Sequence, residues 1–247
     1  MKHKNPHPVP SRPVPSRNAP SRTTSAPHPR ARSPQAPSPP ASAARGEDTR
    51  AALLVAGRAA FARRGFDGSS VRDITRDAGV NLGAVTYHFE SKRGLYAAVL
   101  VEGLTPLVDR VGQAAGSPGS PLERLDAVVD VFFAYVAVNP DLPRLMMQEV
   151  AAGKIPPPEL VALIRRNAGY VAGILTDGVK DGSMRAVHPM LGAISIVSQP
   201  VFLNIMSPLL REVGGVDISD PAVRAIVVRH VKALLREGFS CSREASA

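Results

Sequence analysis

The chain has 247 residues, 44% of them hydrophobic, with a formal net charge of +9; that length allows one or two domains with a packed core. No run of about 18 uncharged apolar residues stands out, which predicts no membrane span, and the lone cysteine, Cys241, excludes an intrachain disulfide and suits a reducing cytoplasm. The charge is unevenly placed: residues 1–45 carry eight basic groups and no acid, whereas the other 202 residues carry 22 basic and 21 acidic groups, a balance of +1.

In chain order, residues 1–45 hold 12 of the 24 prolines and no Leu, Ile, Phe, Tyr or Cys. Such a stretch buries too little apolar surface to offset ordering and reads as a disordered or extended tail. It repeats V-P-S-R at Val9–Arg12 and Val14–Arg17, then A-P-S-R at Ala19–Arg22. It has no apolar h-region of the kind a secretory signal needs. The stretch reads either as a basic arm that adds salt-dependent, sequence-independent DNA affinity, or as a passive extension or the product of a wrongly chosen upstream start.

A helix is predicted from about Glu47 to Arg64, with Leu53, Leu54, Gly57 and Phe61 as its buried stripe and Gly65 as its stop. The stretch Ser69–Lys92 then reads as two short helices around a tight turn. Ser70 is placed to cap the first, and Asp73 to reach back and complete a capping box. Val71, Ile74 and Ala78 share one face, and Gly79 supplies the positive φ of the turn. Asn81 is the expected cap of the second helix, Val85 and Phe89 its apolar positions, and Ser91 the cap of a third. Asn81, Thr86, Tyr87 and His88 give the second helix a polar side, and Lys92 follows at the next helix start. A helix-turn-helix lays such a second helix in the DNA major groove.

From Leu53 to Leu100 the chain resembles the DNA-binding domain of the tetracycline-repressor (TetR) family of bacterial regulators. The matching residues are F-A-R-R-G-F (Phe61–Phe66), V-R-D-I (Val71–Ile74), A-G-V (Ala78–Val80) and Y-H-F-E-S-K (Tyr87–Lys92), leading into Leu95 and Tyr96. Leu82, Thr86 and Arg93-Gly94 depart from the residues common there, and Gly94 is expected to loosen its helix by ~1 kcal/mol relative to Ala. The resemblance implies that Asn81, Leu82, Gly83 and Thr86 face bases, while Ser70, Tyr87, His88 and Lys92 hold phosphates. Arg72 belongs to the same DNA-contacting set. It also implies a three-helix DNA-binding domain, residues 46–98, followed by a ligand-binding and dimerising helical bundle, residues 99–240.

The remaining pattern is helical throughout. Helices are predicted over Ser91 to about Ala115, with a kink at Thr105-Pro106, and from Ser120-Pro121 to before Asn139-Pro140. Others follow from Leu142 to Ala152, from Leu160 to near Gly182, from Pro189 to Glu212 and from Asp220 to Gly238. Pro200 and Pro208 are expected to kink or split the penultimate one. No period-two alternation competes, so the fold class is all-α.

The last two helices are apolar on more than one face, which requires cover from two sides; the resemblance implies a homodimer through them. An effector pocket is expected inside the bundle. Its candidates are Phe132, Phe133, Tyr135, Met146, Met147, Gln148, Tyr170, Gln199, Phe202, Asn204 and Met206, with large Met and Phe side chains favouring an apolar or aromatic ligand. No G-x-S-x-G, Walker A, H-E-x-x-H or C-x-x-C motif is present, so no catalysis, metal or cofactor is expected. The sequence therefore points to a ligand-responsive one-component regulator, a cytoplasmic, nucleoid-associated repressor that binds a palindromic double-stranded DNA operator as a homodimer. The rival is a helical protein-interaction module whose basic tail docks on acidic partners.

Overall fold

The computed structural model describes residues 41–151, 153 and 156–241. The tail expected over residues 1–45 therefore lies almost wholly outside the described residues. Its last five residues, 41–45, are helical: α1 spans Ala41–Arg64 and begins ahead of Glu47. Ala41, Ala43 and Ala44 are strong helix formers, and they carry the helix upstream of the acidic residues taken as its start.

Among the described residues nine helices follow one another: α1, α2 (Val71–Asp77), α3 (Gly83–Phe89), α4 (Lys92–Ala115), α5 (Pro121–Val138), α6 (Asp141–Ala151), α7 (Pro158–Lys180), α8 (Pro189–Gly214) and α9 (Pro221–Phe239). The only pairing of β type among them is an isolated bridge, Met184 with Ser240. The boundaries follow local chemistry. Ser91 caps α4 by accepting the Gly94 N–H at 3.1 Å. Ser120 and Glu123 form a complete capping box on α5, with Pro121 at its first position. Asp220 accepts the N–H groups of Ala222 and Val223 at the start of α9.

Two apolar clusters share α4. The first joins α1, α2, α3 and the start of α4 around Leu53, Phe61, Ile74, Val85, Leu95 and Leu100, and it also takes in Leu145 of α6 and Leu160 of α7. The second fills the bundle around Leu107, Val111, Leu125, Val128, Phe132, Val171, Ile174 and Ile196. The helix thus has its first half in one core and its second half in the other, and Pro106 lies inside it without ending it.

α8 also departs from expectation. It runs unbroken through Pro200 and Pro208. It is the one described helix long and apolar enough to cross a bilayer, by length and composition only. Its inner residues Gly192, Ala193, Ile196, Pro200 and Asn204 are buried in the bundle, while Leu191, Ile194, Phe202 and Leu209 are exposed.

Candidate functional site

The corner between α2 and α3 is built by short-range bonds. At Ser70 the backbone is extended, and Oγ accepts the Asp73 N–H at 3.1 Å while its own O–H donates to Asp73 Oδ2 at 2.7 Å. The return bond reaches the hydroxyl rather than the Ser70 backbone N–H, so the expected capping box closes through a single group. This hydrogen bond, with Arg76 alongside at 2.8 Å, holds the Asp73 carboxyl below the usual range. Gly79 turns the chain at φ +68, a conformation that costs glycine little.

α3 does not open on an Asn81 side-chain cap. Leu82 is already in the helical region (φ −60, ψ −34) and no side chain caps the helix; Asn81 contributes only its carbonyl, to the Ala84 N–H at 3.1 Å. Its amide is left at the exposed tip. Ala84, Val85 and Phe89 are buried, whereas Asn81, Leu82, Gly83, Thr86 and Tyr87 are exposed, Tyr87 by 84%. His88 is half-buried with its ring edge-on to Tyr87, 4.8 Å between centroids. Ser70 and Arg72 are also exposed. Apart from Lys92 and the half-buried His88, the sequence-predicted DNA residues are all exposed, and those of α3 leave Ala84, Val85 and Phe89 as its buried side.

Lys92 points inward. Its ammonium donates to the carbonyls of Phe66 at 2.8 Å and Ser69 at 2.9 Å and lies 4.2 Å from the centroid of the Phe66 ring. Two of the three donors of a lysine are spent on the loop between α1 and α2. The Phe66 ring in turn packs edge-on to Tyr96 at 5.2 Å. This geometry ties Lys92 to the loop between α1 and α2.

Gly94 is a second correction. A Cβ there would stand 2.0 Å from the Phe89 carbonyl oxygen. The end of α3 and the start of α4 approach so closely that only glycine fits, and the turn between them puts Glu90 at φ +63. The helix-propensity cost expected of Gly94 is overridden by this contact.

Deeper in the chain, a cavity of about 210 Å³ lies among α4, α5, α6, α7 and α8. Its wall is almost wholly apolar, and the amides of Asn139 and Asn167 are its polar groups apart from the Tyr135 hydroxyl. That hydroxyl donates to the Gly103 carbonyl of α4, and burial raises its pKa.

Comparison with known proteins places this architecture. Residues 53–99 match the bacterial regulatory proteins of the tetR family, and residues 121–234 match the tetracyclin repressor-like C-terminal domain. The chain belongs to the tetR family. It is 27% identical over 172 residues to the HTH-type transcriptional activator FasR of Mycolicibacterium smegmatis, which covers 67% of this chain and 77% of that one. It is 31% identical over 128 residues to the HTH-type transcriptional repressor KstR2 of the same organism, covering 51% and 62%. Among solved structures it resembles the transcriptional regulator FadR of Bacillus subtilis in complex with stearoyl-CoA, with a TM-score of 0.65 at 18% identity over 76% of this chain and 98% of that one; that last likeness is one of fold.

In this TetR-family chain the expected pocket residues scatter. Phe132, Tyr135 and Met146 line the 210 Å³ cavity. Phe133 and Asn204 line a separate one of about 180 Å³ with Arg144 and Arg224. Met147, Gln148 and Phe202 are exposed, and Tyr170, Gln199 and Met206 are half-buried elsewhere. Sequence reasoning missed Asn167, although the signal was present: it falls four residues after Leu163 and four before Val171, on the buried stripe of α7. It also missed Arg58, whose partners lie more than eighty positions away.

Proposed function

We propose that the chain works as a homodimeric, ligand-responsive one-component regulator, acting as a repressor at a palindromic operator in the bacterial cytoplasm. The observation that carries this reading is α3, a short helix whose apolar side is locked in the core and whose polar side faces outward. A recognition helix reads base edges in the major groove from its N-terminal residues. In this reading Asn81, Leu82, Gly83 and Thr86 face bases, and Ser70, Arg72, Tyr87 and His88 hold phosphates. Among the described residues Arg72 is in no ion pair, which suits that task. Lys92 acts by positioning. Two copies of α3 about one DNA turn apart, ~34–36 Å, would read the palindrome.

Self-association is supported by α8 and α9. Leu191, Ile194, Phe202 and Leu209 recur at i, i+3, i+11 and i+18 on α8, and Ile226 and Leu234 stand on α9, all exposed. An apolar stripe of this kind marks an interaction surface. Residues 46–98 then form the DNA-binding part and 99–240 the part that binds the effector and the second copy. The 210 Å³ cavity is the effector site, and an apolar or aromatic ligand suits its wall. A ligand that binds one tilt of α4 better than another shifts DNA affinity by that difference alone.

The test is selection of an operator from random DNA with the full chain, followed by gel shift and sedimentation. A palindromic site, bound by a dimer and altered at one base position by Thr86→Ala, is expected. Binding no tighter than to bulk DNA would overturn the reading.

A further inference from the structure

The cavity among α4–α8 is lined by two amides of opposite status, Asn139 half-buried and Asn167 buried. Asn139 is satisfied: its Nδ2 donates to the Tyr135 carbonyl at 3.1 Å and its Oδ1 accepts from Arg58 at 2.9 Å. Asn167 is only 9% exposed, and its Oδ1 is buried with no hydrogen-bond partner. Around it the wall is Leu107, Val108, Phe132, Leu163, Val197 and Val201, and no Lys, Arg, His, Asp or Glu lines the cavity.

Each feature restricts the occupant. A buried polar atom without a partner is costly in a folded protein and is ordinarily matched; here the acceptor is unmatched and belongs to a residue that lines the cavity. A carboxylate or phosphate taken into this wall would lose its hydration and find no cation. An apolar cavity of about 150 Å³ accepts benzene, so by the same scale 210 Å³ accommodates roughly eight to ten non-hydrogen atoms. We propose that this cavity binds a compact, neutral, mainly apolar molecule, such as a substituted ring, whose single hydroxyl or amine donates to Asn167 Oδ1. The inference rests on the effector-site reading above and names the ligand class of that site.

The test uses calorimetry on the full chain with three probes of equal non-hydrogen atom count: 4-ethylphenol, 4-ethyltoluene and benzoate. No DNA is present, so failure to find an operator leaves this measurement intact. The phenol is expected to bind about tenfold more tightly than the toluene, the worth of one hydrogen bond, and the benzoate to show no saturable binding. Asn167→Leu, which replaces the unmatched amide with an apolar group of similar size, is expected to keep its thermal transition and to bind phenol and toluene equally. Leu163→Phe, which narrows the cavity, is expected to abolish binding of both. Three results would overturn the proposal: no saturable binding of the phenol, benzoate binding as tight as the phenol, or a phenol preference that survives Asn167→Leu. If the phenol binds through Asn167 and leaves operator affinity unchanged, the ligand class stands and the effector reading falls.

Discussion

Arg58 of α1 grips Asp141 at the start of α6 with two parallel bonds, Nε to Oδ2 and Nη2 to Oδ1, both 2.7 Å, and Nη2 also reaches Asn139 Oδ1 at 2.9 Å. The fork ties the helix that supports the DNA-binding corner to a residue lining the cavity, because Asn139 belongs to both. A bidentate guanidinium–carboxylate pair has directional strength that a lysine lacks. Arg58→Lys is therefore expected to destabilise the chain by about 1–2 kcal/mol, discounted for partial exposure. Urea denaturation checks the loss. The same variant is expected to weaken the response of DNA affinity to any cavity ligand, which gel shifts with and without 4-ethylphenol would read.

The pair also sets an acid limit. Asp141 is held below the ordinary carboxylate range, first by its hydrogen bonds from Arg58, against the opposing effect of burial. A carboxyl lowered in the folded state contributes stability that is fully present above the unfolded pKa and is lost as pH falls through the folded value. Wild-type stability is expected to fall on acidification below the ordinary carboxylate range. Asp141→Asn is expected to be less stable near neutrality and to show a shallower acid slope. Equal slopes for both proteins would remove Asp141 from the account.

Lys92 offers a choice between two roles. As a phosphate contact, its loss would lower the salt slope of DNA binding by about one and leave folding alone. As a clamp, its loss strands the Phe66 and Ser69 carbonyls. Lys92→Met is expected to lower the melting temperature and to weaken all DNA binding with a change in salt slope well under one. An unshifted melt with a full unit of slope would restore the phosphate role.

Gly94→Ala reverses the usual sign. Helix propensity alone would favour alanine by about 1 kcal/mol, yet the added methyl would meet the Phe89 carbonyl oxygen at 2.0 Å. Overpacking of this kind costs about 1–3 kcal/mol, and a carbonyl tied into a helix end moves less readily than a side chain. A net loss of stability is expected by chemical denaturation, and a gain would show that the two helix ends can part.

What the sequence made legible was what local chemistry determines. The caps at Ser70, Ser91 and Ser120 and the breaks at Gly65, Gly79 and Gly182 fall where side-chain bonds or positive φ fix them, whereas the cap expected of Asn81 is not made. The outward face of α3 was legible too, since Val85 and Phe89 declare the inner one. The cavity was not. Met147 and Phe202 are large and apolar yet exposed, because hydrophobicity says that a side chain wants cover, not which neighbour supplies it. Asn167 could be read as a polar residue on the buried stripe of α7, but Arg58 depends on packing between helices far apart in sequence, which a single-sequence pattern does not carry.

The outer stripe of α8 gives the final prediction. Phe202 is 60% exposed in the single chain and sits between Ile194 and Leu209 on the same face. If a second copy covers this face, a carboxylate at its centre would be desolvated without a cation, a large penalty for association. Phe202→Glu is expected to sediment as a monomer at micromolar concentration with its helical circular dichroism intact, and to bind a palindromic operator far more weakly than the parent chain. Val55→Glu on α1, where Val55 is 72% exposed, serves as the control and is expected to stay dimeric. A Phe202→Glu chain that remains a dimer would move the self-association surface away from α8.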